Sequence, residues 1–105
     1  MRTMLKKVEE VRFMIEDSFE NLNVDSIRFI GHGNDCDAYE INGSIIFKFP
    51  KHDRADRNIM KEIELLRLLE DRLPYQIPRV LYVGLPNAHY RYHFGGFSKI
   101  AGVPL

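Results

Sequence analysis

The stretch FIGHGNDCDAYEINGSIIFKF, Phe29 to Phe49, supports two incompatible readings. His32-Gly33-Asn34-Asp35 has the outline of a His-x-Asp catalytic loop, in which an aspartate takes the proton of a hydroxyl. Gly31-His32-Gly33 has the outline of a glycine-rich loop that brings backbone amides up to phosphate oxygens. A His-x-Asp loop needs a carboxylate two residues after the histidine, because an amide cannot accept the proton, and that position is Asn34. The pattern also needs an asparagine further along as a metal ligand, and neither Asn34 nor Asp35 is followed by one at the required distance. The match fails at both residues that carry chemistry.

A glycine-rich loop asks for glycines between two strands and a lysine nearby. Ser26 to Gly31, Asp37 to Ile41 and Ser44 to Phe49 are short runs rich in β-branched or aromatic residues, and Asn42-Gly43 separates the last two. Asn-Gly between such runs is a strong hairpin signal, because both turn positions take positive φ, so three antiparallel strands are expected. A Walker loop would need Gly-Lys-Ser/Thr leading into a helix, and a dinucleotide fingerprint a third glycine and a helix. The strand expected after Cys36 contradicts both. A lone Gly-x-Gly is more often a tight turn than a ligand site, so the case rests on its company.

Lys48 is the first companion. Side chains alternate along a strand, which puts Lys48 beside Ile46 and leaves Ile45, Phe47 and Phe49 on the other face. A lysine between apolar neighbours needs solvent or an anion opposite. Pro50 closes the strand, the charged loop KHDRADR follows, and a second helix is expected over about Arg57 to Leu73, where LPYQIP breaks it. On that helix Glu62 falls near Ile59, Leu65, Leu66 and Leu69, on or beside the apolar stripe, whereas Glu64 falls on the solvated side. Alone, Glu62 reads as a surface residue at a stripe edge. Paired with Lys48 it becomes the anion that the lysine requires.

Glycine loop, strand lysine and helix glutamate, in that order, make up the nucleotide-holding half of a protein-kinase-like fold. The lysine binds phosphates and the glutamate orients it, while Ile30 and Ile46 cover the purine ring. The remaining elements agree. Met4, Val8, Val11, Ile15, Phe19 and Leu22 mark an amphipathic first helix. Arg79 to Gly84 and Tyr90 to Ile100 read as two more strands, the second kinked at Gly95-Gly96, and the chain end GGFSKIAGVPL leads into a hinge. The expected fold class is α+β: a five-stranded antiparallel sheet with one helix before it and one between strands 3 and 4.

Composition bounds the function. A chain of 105 residues is one domain, and 15 basic against 15 acidic residues leave no uniform field for nucleic acid or an anionic membrane, so neither partner is expected. The alternating aromatic and basic residues of HYRYHF, His89 to Phe94, could stack bases, but an edge strand explains them as well. Cys36 is the single cysteine, which excludes an internal disulfide or a multi-cysteine zinc site and suits a reducing cytoplasm. Its thiol is either activated by phosphate-facing amides or, as the plainer reading, a small packing group. His52, His89 and His93 have no acidic neighbour at ligand spacing, so no metal site is expected of them. The charged N-terminus has no run long enough for a signal peptide or a membrane span.

GHGNDCDAYEING, IIFKFPKH, LPYQIPRVLYVG and FGGFSKIAGVPL together resemble the aminoglycoside phosphotransferases, most closely the 2''-O-phosphotransferases. The resemblance runs through nearly the whole chain. It implies a kinase that uses ATP or GTP with magnesium and inactivates antibiotics, although the wider family also phosphorylates other small alcohols. Residue by residue, it matches Gly31 to Asp35, with Gly33 and Asn34 among them, to the nucleotide-positioning loop, Lys48 to the phosphate-binding lysine and Glu62 to its helix partner. Phe97 matches the gatekeeper behind the purine, and the backbone of Ser98 and Ile100 the hinge. Asp35 and Asp37 are expected to face solvent, because inward carboxylates would repel a triphosphate.

In that family the catalytic aspartate, the magnesium ligands and the aminoglycoside pocket belong to a C-terminal lobe. Residues 1–105 are therefore expected to form the N-terminal lobe of such a kinase and not to transfer phosphate alone, whether as a fragment, a truncated gene product or a single-lobe homologue. The alternative is a free-standing, non-catalytic module that self-associates through the face a second lobe would have met.

Overall fold

The computed structural model describes residues 4–73 and 76–100. Its elements are α1 (Met4–Ser18), β1 (Ile27–His32), β2 (Cys36–Ile41), β3 (Ile45–Pro50), α2 (Asp53–Leu69), β4 (Val80–Gly84) and β5 (Phe94–Ser98). The strands form one antiparallel sheet in the order β1-β2-β3-β5-β4, the expected α+β architecture. Asn42 and Gly43 make the β2–β3 turn with φ of 55° and 69°, as their residue types demand. The Asn42 side chain also accepts hydrogen bonds from the amides of Asp25 and Ser26 and donates one to Asn23 O, which fastens the segment entering β1 to the hairpin.

Register sorts the side chains. Across β2 and β3, Tyr39 pairs with Phe47 and Asp37 with Phe49, while Ala38 pairs with Lys48 and Glu40 with Ile46. One face therefore carries Tyr39, Ile41, Ile45, Phe47 and Phe49, which join Phe94 and the α1 residues Val11, Met14 and Ile15 in a buried core. Each such side chain contributes about 1.5–3 kcal/mol on leaving water. On the other face α2 packs Ile59 and Ile63 against Phe97, in a smaller cluster. The sheet thus has a helix on each side, and Lys48 projects on the α2 side.

Three elements differ from expectation by more than one residue. Apolar spacing suggests that α1 reaches Leu22, but the helix ends at Ser18 and a turn, Leu22 N to Phe19 O at 3.0 Å, carries the buried Leu22 back onto the core. Meanwhile α2 begins at Asp53 rather than Arg57, because His52 caps it by accepting the Ala55 amide at 3.2 Å and Ala55 is buried. It ends at Leu69; of the expected breaker LPYQIP, Pro74 and Tyr75 lie outside the described residues.

The third difference is in β5, which spans only Phe94–Ser98. Ahead of it Asn87 Oδ1 accepts from the amides of His89 and Tyr90, forming a turn where a strand is expected, so HYRYHF is no edge strand. Gly95 and Gly96 lie inside β5 and serve close approach rather than a kink. A Cβ on Gly96 would meet the Phe47 ring at 2.7 Å, and one on Gly95 the Phe97 ring at 2.8 Å. Of the expected hinge, Ala101 to Leu105 lie outside the described residues.

Candidate functional site

A β-bulge precedes the glycine loop. Phe29 pairs with Tyr39 and Gly31 with Ala38, so Ile30 is the extra residue on β1 and the strand is re-aimed as it enters Gly31 to Asp35. The loop closes on itself through Gly33 N to Cys36 O at 2.8 Å. A Cβ on Gly33 would come within 3.1 Å of that carbonyl, so a larger residue would crowd the turn, whereas Gly31 has open space.

Lys48 and Glu62 meet as their separate periodicities predict. Lys48 Nζ lies 2.9 Å from Glu62 Oε2, and the two side chains are 36% and 40% exposed. At that exposure the pair adds on the order of 0–1 kcal/mol to stability, so its value lies in holding the ammonium in place. The ammonium also stands over the Phe97 ring, 5.3 Å from its centroid, within range of a cation–π attraction.

Two cavities share this pair as a wall. One, of about 460 Å³, lies under the glycine loop and is bounded by Ile30, Gly31, Gly33, Asn34 and Asp35 on one side and α2 on the other. The second, of about 290 Å³, is bounded by Ile46, Phe97, Ser98 and Ile100 with Pro78. All the sequence-predicted residues line one or the other. Ala38, Ala55, Asn58, Ile59, Pro78 and Lys99 line them too and are not evident from sequence, since each becomes a neighbour only once the strands and α2 are docked.

Ser98 donates its amide to Arg79 O at 2.9 Å and accepts the Arg79 amide on its hydroxyl at 2.8 Å. Lys99 N donates to Ser44 O at 2.9 Å, and Lys99 Nζ lies 2.6 Å from Glu40 Oε2. These bonds fix the segment that carries Ser98 and Ile100 against the sheet. Hydrogen bonds from Lys99 and then from Arg28 hold the Glu40 carboxyl below its ordinary pKa.

Asp37 departs from expectation. It is 3% exposed rather than facing solvent, with Lys51 Nζ at 3.4 Å, because the register places it beside Phe49 on the core face. Asp35 is exposed and turned to His52 Nε2 at 3.1 Å. Cys36 is half-buried, and burial pushes its thiol pKa up against the opposing pull of Lys48, which fits packing rather than reactivity. His52 and His93 each meet an aspartate that sequence spacing does not reveal, His93 lying 2.9 Å from Asp56. Among the described residues, no three His, Cys, Asp or Glu side chains group to hold a metal ion, and no helix is long and apolar enough to cross a membrane.

Residues 26–105 match the family model of the phosphotransferase enzyme family, APH. Among solved structures, the chain is similar to APH(2")-IIia in its complex with GDP and kanamycin, at 31% identity and a TM-score of 0.76, covering 87% of this chain and 30% of that one. It is similar to aminoglycoside 2'-phosphotransferase-IIIa in complex with GDP at 29% identity and a TM-score of 0.80, covering 91% of this chain and 31% of the other. A third likeness, to ADP-bound aminoglycoside phosphotransferase APH(2'')-Ib, has 28% identity and a TM-score of 0.70, over 89% of this chain and 29% of that chain. The chain thus spans about 30% of the length of those phosphotransferases.

Proposed function

The chain belongs to the phosphotransferase enzyme family, and from that premise we propose that residues 1–105 are the nucleotide-holding lobe of an aminoglycoside 2''-phosphotransferase-like kinase. The observation that carries this reading is the Lys48–Glu62 pair, standing where two cavities of different character meet. A nucleoside triphosphate fits that division. Its base enters the smaller cavity between Ile46 and Phe97, with the Ser98 carbonyl and the Ile100 backbone at its edge, and its phosphates lie beneath the glycine loop within reach of Lys48. Fixed donors aimed at phosphate oxygens are most of what phosphoryl transfer requires of this half of the site.

Bound to the lobe, ATP or GTP supplies the γ-phosphoryl group. Transfer to an aminoglycoside hydroxyl belongs, in this proposal, to a longer cytoplasmic protein whose second lobe brings the base, the magnesium ligands and the acceptor pocket, and the outcome is antibiotic resistance. Lys48 neutralises phosphate charge, Glu62 keeps the ammonium from swinging away, and Phe97 limits how deep the base can go. Calorimetric titration of the chain with ATP and with GTP tests the reading. Saturable binding that Lys48→Met weakens at least tenfold is expected; no binding of either nucleotide by the unaltered chain, or equal binding by the variant, would contradict it.

A second reading, self-association as a non-catalytic module, draws on Leu65 and Leu68 of α2, which are 55% and 61% exposed. Sedimentation separates the two: a monomer that binds nucleotide argues against the module.

A further inference from the structure

We infer that Lys51 and His52, in the connection between β3 and α2, are positioning residues for the phosphates: they tie down the acceptor groups of the glycine loop and leave its amides facing the site. The inference rests on the nucleotide-binding reading above and adds two residues to it that line neither of the two site cavities.

The tie makes three hydrogen bonds to the loop from two consecutive residues. Lys51 N donates to Asp35 O at 2.9 Å, and Lys51 Nζ donates to Gly33 O at 2.9 Å while lying 3.4 Å from Asp37 Oδ1. His52 Nε2 lies 3.1 Å from Asp35 Oδ1, and His52 Nδ1 accepts the amide of Ala55 at 3.2 Å. A nitrogen that accepts an N–H bond carries no proton, so Nδ1 is bare and Nε2–H is the donor to Asp35. The imidazole is thus a rigid spacer between the first turn of α2 and the loop.

The arrangement sorts the loop by polarity. The carbonyls of Gly33 and Asp35 and the carboxylate of Asp35 are all held toward the β3–α2 connection. Among the described residues, the amides of Asn34 and Asp35 donate to no backbone carbonyl. A loop with two glycines loses much freedom when it closes on a ligand, and ties made in advance reduce that loss. They also turn away a carboxylate that would otherwise stand near the phosphates and oppose them. Because α2 carries Glu62 as well, one helix sets both the loop, through His52, and the phosphate lysine, through Glu62.

His52→Asn separates positioning from stability. Asparagine caps helices well, but its amide ends short of the place where the imidazole presents Nε2, so the cap stays and the tie to Asp35 goes. In the purified chain this variant is expected to keep the parent's melting temperature, exchange the amides of Gly33 to Cys36 faster, and bind ATP and GTP about fivefold to tenfold more weakly, the worth of one charge-assisted hydrogen bond. Lys51→Met is expected to weaken nucleotide binding about tenfold or more, and Lys51→Arg, which can still reach both oxygens, to restore most of it. Parent-like affinity and exchange in both His52→Asn and Lys51→Met, while the parent binds nucleotide, would overturn the inference alone. A parent chain that binds no nucleotide would overturn the functional reading and this inference with it.

Discussion

On the α1 face of the sheet Tyr39, Phe47, Phe49 and Phe94 are each no more than 5% exposed, and they meet ring to ring: Phe49 and Phe94 stack with centroids 5.0 Å apart, and Tyr39 stands edge-on to Phe49 at 5.9 Å. On the α2 face the buried cluster is Ile59, Ile63 and Phe97, and beside it a lysine and a glutamate are left more than one-third exposed. The same strands build both faces, since a period of two delivers alternate residues to each. Phe47 and Lys48 are neighbours in sequence with opposite tasks. The α1 face supplies most of the burial that holds the lobe together, and the α2 face leaves polar groups unpacked beside the two cavities.

The largest effect that could break this comparison is Phe47→Ala. Phe47 is fully buried and its ring covers Gly96, so truncation is expected to cost about 3–5 kcal/mol in urea unfolding, enough to unfold much of a marginal lobe. A loss below about 1 kcal/mol would mean that the α1 face is not the stabilising one. Next comes Glu62→Gln, on the other side of the sheet. It leaves Lys48 without its anion and is expected to weaken ATP binding about tenfold while moving stability by less than about 1 kcal/mol. A large fall in stability with unchanged affinity would erase the division of labour.

Acid should act on the α2 side. Glu40, which projects beside Lys48 and Ile46, has its pKa lowered from 4.5 by Lys99 and Arg28. Burial works against ionisation of Asp56 on α2, but the amide and ring of His93 and the charge of Arg57 outweigh it, lowering its pKa from 3.8. A carboxyl with a depressed folded pKa adds stability that is fully present above its unfolded value and lost as pH falls through the folded one. Urea midpoints are thus expected to hold steady from pH 7 to about pH 5 with respect to these groups and to decline below about pH 4.5, with a shallower decline in Glu40→Gln. Equal acid slopes for parent and variant would remove Glu40 from the account.

The smallest expected change runs in the stabilising direction. The Tyr39 hydroxyl is buried without a hydrogen-bond partner among the described residues, and burial, with Asp37 and Glu10 nearby, pushes its pKa to about 12. Tyr39→Phe removes a polar atom that has lost water and gained nothing, so a gain of up to about 1 kcal/mol is expected in thermal unfolding. A loss would show that the hydroxyl is satisfied in solution.

The hairpin, the strand alternation and the Lys48–Glu62 pair were legible because each depends on local pattern: Asn-Gly chemistry, a period of two, a period near 3.6. What was hidden depends on pieces distant in sequence. KHDRADR reads as a charged loop, yet His52 caps a helix within it, because an imidazole is an uncommon cap and Ala55 gives little apolar signal. Asp37 looks like a solvated carboxylate until the register of β2 on β3 sets it beside Phe49 and within reach of Lys51. The aromatic run before Phe94 reads as strand from residue type, and Asn87 makes it a turn. Gly95-Gly96 looks like a kink from sequence because the rings that lie over the two glycines come from Phe97 and from Phe47 on the neighbouring strand.

Ligand binding is expected on the α2 face, although the α1 face holds a cavity of its own, about 610 Å³, lined by Phe13, Tyr39, Phe49, Tyr90 and Tyr92 among others. Amide chemical shifts of the labelled chain, followed during titration with ATP, test it directly. Shifts concentrated at Gly31 to Asp35, Lys48, Glu62 and Phe97 to Ile100, with Phe13, Tyr39 and Tyr90 still, are the predicted result. Shifts centred on Phe13, Tyr39 and Tyr90 instead would contradict it.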